Sequence, residues 1–340
     1  MKLVSIFSTG MNSIFPIMLL ILFGFALRQK GFLSDEFVRI GNKLSFQYLL
    51  PIKMFLNAYK IEKFSHIPWR LVLFSLVMMV VIFALGCFTA PLATKDPRRK
   101  GVLLQSTFRS NTAIIGISLA GILGGEQAAT VSSILTAMCL PLMNILAVVA
   151  LSMFIRWEGK RKSLKQLLRD VVTNPLIVGI VLGFGCVLIR NLEERCFGSV
   201  AFSLRENLPF VYSALSQLSS IASPFALVVL GGQFNFSAAG NMHREIIVGT
   251  VWRNVIAPIL ALGSAYLLST HTGLLTCTPA DYPALIALFA TPVAVSSAVM
   301  ASQMGGDGQL ATQLVVWTSV ASVVTMFAII CIVIWAGLLG

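Results

Sequence analysis

The 340-residue chain is 57% hydrophobic, has a mean hydropathy of +0.87 and carries charge on only 11% of its residues, where a soluble domain has about 25%. That balance excludes a soluble globular enzyme and places the chain in a membrane. A formal net charge of +12 does not point to nucleic acid here, because most Lys and Arg fall in short connections between apolar runs, where they set topology.

Ten apolar stretches are long enough to span a bilayer, which takes about 20 residues each. They occupy 10–28, 37–58, 68–94, 101–122, 127–155, 174–192, 208–232, 244–269, 281–303 and 309–338. Lys2 precedes the first, the charged turn Arg28-Gln29-Lys30 follows it, and no small-residue cleavage motif intervenes. It is therefore expected to be a retained span and not a cleaved signal peptide. The fourth stretch is interrupted by Phe108-Arg109-Ser110-Asn111-Thr112 and the ninth by Thr291-Pro292. Backbone freed inside hydrocarbon survives only where it lines a cavity or another helix. Proline forces such an opening, since it lacks an N–H and its ring clashes with the carbonyl four residues back.

The basic run from Arg156 to Arg169 divides the chain, giving a first five-span unit over 1–155, a linker over 156–173 that rests on anionic headgroups, and a second unit over 174–340. The units resemble each other. Pro16 and Gly24 answer to Pro175 and Gly183, and Leu44-Ser45 leading to Pro51 answers to Leu218-Ser219 leading to Pro224. Because five is odd, the second unit enters from the opposite side, which makes the pair an inverted repeat with a shared site near the midplane. Arg28, Lys30, Arg39, Lys95, Arg98, Arg99, Lys100, Arg156, Lys160, Arg161, Lys162, Lys165, Arg169 and Arg244 follow odd-numbered spans; Lys2, Lys60, Lys63, Arg70, Arg190, Arg195 and Arg205 lie on the other side. The positive-inside rule puts the larger group in the cytoplasm and both termini outside.

Asn111 offers donors and acceptors, to a substrate carboxylate or to freed backbone; equally, Asn111 and Ser110 can hydrogen-bond a neighbouring helix. If the two breaks cross, the N-terminal ends of the half-helices that follow point inward and favour an anion. Arg109 is placed to clamp a dianion, or else to satisfy a carbonyl or the interface. Arg253, before Pro258, is either a second cavity charge or a helix brace, and Asp307, after Gly305-Gly306, either a loop cap or a proton relay. His66, His243 and His271 fall at span ends or in loops and have no coupling role. Cys87, Cys139, Cys186, Cys196, Cys277 and Cys331 lack CxxC spacing, and read as small core residues with no metal or disulfide implied. There is no Walker motif, HExxH or GxSxG, so neither an ATP-driven pump nor a membrane hydrolase is expected.

Three stretches resemble one family: Arg109-Ser110-Asn111 with Gly116, Pro292 followed by Val299-Met300-Ala301-Ser302-Gln303-Met304-Gly305-Gly306-Asp307, and Pro51. Together with the span count, outward termini and basic central loop, they are similar to the auxin efflux carrier family, whose bacterial members include malonate- and malate-type permeases. The resemblance implies an all-α integral membrane fold with ten transmembrane helices in a 5+5 inverted repeat. Helices 4 and 9 are broken and cross, as in sodium/bile-acid symporters, and scaffold and transport domains are each drawn from both repeats. It further implies a crossover at Asn111 and Pro292 that holds the substrate carboxylate, with Ser110, Arg109, Thr112, Thr291, Val293 and Ser296 beside it and Pro51, Arg253, Gln303 and Asp307 as accessory positions. Where family members often have proline, this chain has Ser110 and Ser118, which implies a less sharp break in the fourth span than in the ninth. The expected function is secondary transport of a small organic anion (malonate, malate or an auxin-like acid) across the cell (inner or plasma) membrane by elevator-type alternating access. The alternatives are a sodium-coupled organic-anion symporter and a transporter-like membrane sensor. The organic anion, membrane lipids and a second copy in a homodimer are the expected partners; no nucleic acid, cofactor or metal is expected.

Overall fold

A computed structural model describes residues 2–61, 67–157, 160–161, 163–197 and 202–339, with side chains from residue 15 onward except at 156, 157, 160, 161, 164, 197 and 236. Lys63, His66 and Lys162 lie outside the described residues, and so do the side chains of Lys2, Arg156, Lys160 and Arg161.

The chain begins with α1 (Lys2–Gln29) and α2 (Asp35–Leu44), which continues through a π-helical turn (Ser45–Leu49) into α3 (Leu50–Tyr59). Pro51, at the start of α3, cannot donate to the ladder and clashes with the carbonyl behind it, so the turn before it widens. Next come α4 (Trp69–Ala93) and α5 (Pro97–Phe108), the latter capped by the Asp96 carboxylate on Arg98 N at 2.9 Å. After a break at 109–111, a π turn (Thr112–Gly116) leads into α6 (Ile117–Met153), bent at Gly124 and Gly125, where φ is +71° at Gly125. A two-residue hairpin, β1 (Arg156–Trp157) with β2 (Lys160–Arg161), and the amphipathic α7 (Leu164–Val172) form the central connection.

The second half holds α8 (Pro175–Phe197), α9 (Leu204–Asn207), α10 (Pro209–Gln233) and α11 (Phe236–Gly240). It continues through α12 (His243–Val251), a π turn (Trp252–Ile256) just before Pro258, and α13 (Ala257–Leu267), which ends in a further π turn (Leu268–Thr272). The last elements are α14 (Asp281–Phe289), α15 (Val295–Gln303) after a second break at 290–294, and α16 (Gly308–Trp335). Apart from the small hairpin the described chain is helical.

Six helical segments among the described residues are long and apolar enough to cross a membrane: Trp69–Ala93, Thr112–Met153, Pro175–Cys196, Pro209–Gln233, His243–Thr272 and Gly308–Trp335. The others expected from sequence take different forms. The described apolar part of α1 is Phe15–Gln29, the second stretch is split by its π turn, and the fourth and ninth are split by the breaks. The two breaks differ in length, 109–111 against 290–294, in line with serine rather than proline at position 110. The chain is an all-helical, multi-pass integral membrane protein.

Two helix groups pack against each other. In one, α1 lies along α10 and α3 along α8, with α10 also touching α3. In the other, α4, α5, α6, α12, α13, α14, α15 and α16 pack together. Glycine sets both pairings of the first group: a methyl at Gly231 would sit 2.0 Å from the Ile21 carbonyl oxygen, and one at Gly179 2.4 Å from that of Pro51. Such close backbone approach is how helices adhere without a hydrophobic drive between them. Every residue of α14 and residues 101–108 of α5 are buried, whereas α4, α8 and α16 present Leu73, Phe88, Val181, Leu182 and Ile332 outward. The broken helices thus sit inside and the continuous ones face lipid, because only continuous helices satisfy their own backbone.

Gly231→Ala is expected to cost about 1–3 kcal/mol through overpacking, seen as a fall of several degrees in the detergent-solubilised unfolding midpoint. Gly263→Ala, where an added methyl meets nothing within 4 Å, is the control; equal midpoints for the two variants would contradict the α1–α10 contact.

Candidate functional site

The two breaks meet. Asn111 N donates to Pro292 O at 2.8 Å and Ala294 N to Arg109 O at 3.1 Å, flanking an antiparallel bridge between Ser110 and Val293. Val293 N donates to Thr318 Oγ1 at 3.1 Å, so α16 takes up a donor that the interrupted ladder leaves free. Ser110 Oγ and Thr112 Oγ1 lie 2.9 Å apart, and Thr291 Oγ1 bonds back to Ala287 O at 3.0 Å. The helices on either side of the crossing run away from it, so α5 and α14 approach with their C-terminal ends while α15 and the π turn before α6 leave with their N-terminal ends.

A cavity of about 40 Å³ lies on the N-terminal side. From the sequence-based set it is lined by Arg109, Ser110, Asn111 and Ser296; Ala113, Ile114, Ala294 and Val295 bring the first turns of both half-helices to its wall. The Asn111 side chain is 5% exposed and meets no hydrogen-bond partner among the described residues. Arg109 is 2% exposed; its Nη2 donates to Asn144 Oδ1 at 2.8 Å and to Ser296 Oγ at 3.1 Å, and its Nη1 touches Met300 Sδ. All these acceptors are neutral, which leaves the guanidinium charge uncompensated by a carboxylate.

Lys53 on α3 also lines the cavity and donates to Ser223 Oγ of α10. Neither Lys53 nor Ser223 nor Asn144 stands out in a first reading of the sequence. The signal for Lys53 is there: an ionisable residue inside a span is a site candidate by default. It is masked because the second stretch also contains Arg39 and Lys43, so Lys53 reads as one more basic residue near a span end.

The remaining sequence candidates lie elsewhere. Thr291, Pro292 and Val293 contribute backbone to the crossing and not to the cavity wall. Thr112 supports Ser110. Pro51 packs its carbonyl under Gly179, and Gln303 ends α15 away from the cavity. Asp307 caps α16 through Leu310 N at 3.0 Å and pairs with Arg99 at 3.0 Å, which also reaches Glu245 at 3.1 Å. That is a loop cap in an ion-pair cluster, on the far side of α5 from the crossing. Arg253 is fully buried behind the crossing, with Nε on Thr291 O at 3.0 Å, Nη1 on Thr107 O at 3.2 Å and Nη2 on Phe289 O. It braces the C-terminal ends of both broken helices.

Two larger cavities lie at opposite ends of the boundary between the helix groups. One, about 650 Å³, is lined by Asn57, Lys60 and Glu126 and shares Ala113 with the small cavity. The other, about 510 Å³, is lined by Arg28, Asp35, Asn235 and Gln309. Between it and the crossing, Gln233 Nε2 to Ser302 Oγ at 3.0 Å and Gln309 Nε2 to Gln233 O at 3.0 Å join the two groups, and Asn42 Nδ2 holds Gln233 Oε1 at 3.1 Å within the first.

The chain is similar to known membrane transport proteins. A family profile described as "Membrane transport protein" matches residues 9–330. An uncharacterized transporter of Methanothermobacter thermautotrophicus is 23% identical over 329 residues, which is 94% of this chain and 97% of that protein. An uncharacterized transporter of Methanocaldococcus jannaschii is 24% identical over 258 residues, 74% of this chain and 77% of that protein. With the match running through both broken helices and both helix groups, the chain belongs to the membrane transport protein family that includes the auxin efflux carriers.

Proposed function

We propose that the protein is a secondary carrier for a small organic anion, a carboxylate of the malonate, malate or auxin-like class, bound at the crossing of two broken helices. The observation that carries this reading is the charge balance of the small cavity. Arg109, Lys53 and the N-terminal ends of two half-helices converge on it with Asn111 and Ser296, and no acidic residue lines it. Helix N-termini carry partial positive charge, and in the dry interior each such term is stronger than in water. A carboxylate bound there takes hydrogen bonds from the Asn111 amide, from Ser110 and Ser296 hydroxyls and from the first N–H groups of both half-helices, while Lys53 and Arg109 supply charge.

Alternating access follows from the two helix groups. In this reading α1, α2, α3, α8 and α10 form the scaffold, and the group holding the crossing moves against it like an elevator. The reciprocal pairing of α1 with α10 and of α3 with α8 supports a ten-span 5+5 inverted repeat built from residues 1–155 and 174–340. Exchanging the two repeats exchanges first with sixth and second with seventh spans, which maps one pair onto the other. With the positive-inside orientation both termini face out of the cell membrane, the cavity of about 650 Å³ opens outward, and the amide contacts of Gln233 close the cytoplasmic side. At about 40 Å³, the binding cavity is far below the roughly 300 Å³ of a ligand pocket, so loading requires the two groups to part.

Purified wild type is expected to gain thermal stability from its cognate carboxylic acid in a screen of mono- and dicarboxylates, by a few kcal/mol at about 100 times Kd. A screen in which no carboxylate raises the midpoint would count against the anion reading. In proteoliposomes, Asn111→Ala and Lys53→Gln are each expected to lower uptake of that acid by about tenfold or more, the loss of a charge-assisted or buried hydrogen bond of about 1.5–3 kcal/mol. Wild-type rates in either folded variant would remove these residues from the site.

A further inference from the structure

Arg253 is a fully buried cation whose position the anion site does not explain. It lies in the π turn before Pro258, is 0% exposed, and points away from the substrate cavity. The guanidinium donates to three main-chain carbonyls: Thr107 in the last turn of α5, Phe289 at the last residue of α14, and Thr291 in the second break. A helix C-terminus leaves four carbonyls without an internal partner and carries partial negative charge. Where two broken helices cross, two such ends face one another. In broken-helix transporters these carbonyls are the ligands of the coupling cation, and oxygen atoms of this kind are what hard cations select. Here a guanidinium, with several donors in one plane, is hydrogen-bonded to oxygens from both ends at once.

We propose that Arg253 is a tethered counter-cation that takes the place of a bound coupling metal ion at the crossing, so that anion transport needs neither sodium nor potassium. The proposal rests on the carrier reading above. A cation at this point neutralises the facing C-terminal ends and holds the two breaks together, which orients the opposite, N-terminal ends toward the substrate. A metal ion would have to arrive with each cycle and would couple its own gradient to the anion. Arg253 is covalently part of the chain and contributes the same charge in every state. It is a positioning residue, since it touches the crossing and not the substrate.

Two measurements test this. In the first, the unfolding midpoints of wild type and Arg253→Gly are followed against millimolar methylguanidinium and, at constant ionic strength, against sodium replaced by N-methylglucamine. Wild type is expected not to respond. The variant, starting lower by about 5 °C or more, is expected to recover saturably with methylguanidinium. In the second, carboxylate uptake by wild type is expected to stay within about twofold when sodium or potassium is replaced by N-methylglucamine. Arg253→Gly is expected to lose about tenfold or more and to regain uptake when either methylguanidinium or sodium is supplied, the range of an ordinary coupling between sites. Arg253→Lys keeps the charge and serves if the glycine variant does not fold; it is expected to transport at a reduced, sodium-independent rate. Wild-type uptake that collapses without sodium overturns the proposal. So does a glycine variant that responds to neither cation, or a folded lysine variant that transports nothing with any cation present. Wild type that carries no carboxylate under any condition overturns the carrier reading and the coupling role together. The methylguanidinium response of the midpoint then still decides whether the crossing holds a cation place.

Discussion

Backbone that leaves the helical ladder inside hydrocarbon must find other partners for its N–H and C=O groups, and the two breaks of this chain find them mainly in each other. Two main-chain bonds link residues 109–111 to 292–294, Thr318 accepts from Val293, and Arg253 takes the exposed carbonyls of both approaching helices. Most other features follow from that mutual dependence. The half-helices α5 and α14 are buried because they cannot face lipid, and the long apolar helices α4, α8 and α16 occupy the outer surface in their place. A break in one half would be untenable without the break in the other.

The crossing also sorts charge. C-terminal ends face Arg253 on one side; N-terminal ends face the small cavity with Arg109 and Lys53 on the other. Both arginines are held by neutral oxygens and, for Arg109, a thioether. Burying a charge with no opposite charge beside it is costly, and the helix dipoles and hydrogen bonds offset only part of that.

The helix groups differ in how they cohere. Within the first, glycine lets backbones touch at Gly231 and Gly179, giving rigid pairs. Between the groups, the side-chain hydrogen bonds of Gln233 and Gln309 to Ser302 and the α10 backbone gather near one end. Amide contacts of that kind are individually worth about 1 kcal/mol and are readily exchanged for water. Across the boundary these hydrogen bonds stand beside apolar packing of α1 against α16 and of α10 against α15.

Composition and local pattern were enough to establish the membrane class, the two interruptions and the family, because hydropathy and helix-breaking chemistry are properties of short segments. Residues 108–112 and 291–292 declare themselves whatever surrounds them. The same locality explains what remained open. Arg253 before Pro258 reads as a helix brace or as a cavity charge, and the α5 and α14 carbonyls around it show what it touches. Asp307 became a helix cap through its neighbour Leu310 and its partner Arg99. Nothing local sets Lys53 apart, and only the packing of α3 against α10 puts it on the same cavity wall as Asn111. Span limits were likewise local guesses, and the structure replaces several with split or merged helices. The sequence alone determined that the chain lies in a membrane and where its helices must break; the tertiary structure alone decided which charges face the cavity and which face the carbonyls. A side chain's partners come from helices distant in sequence, and no local pattern encodes their approach.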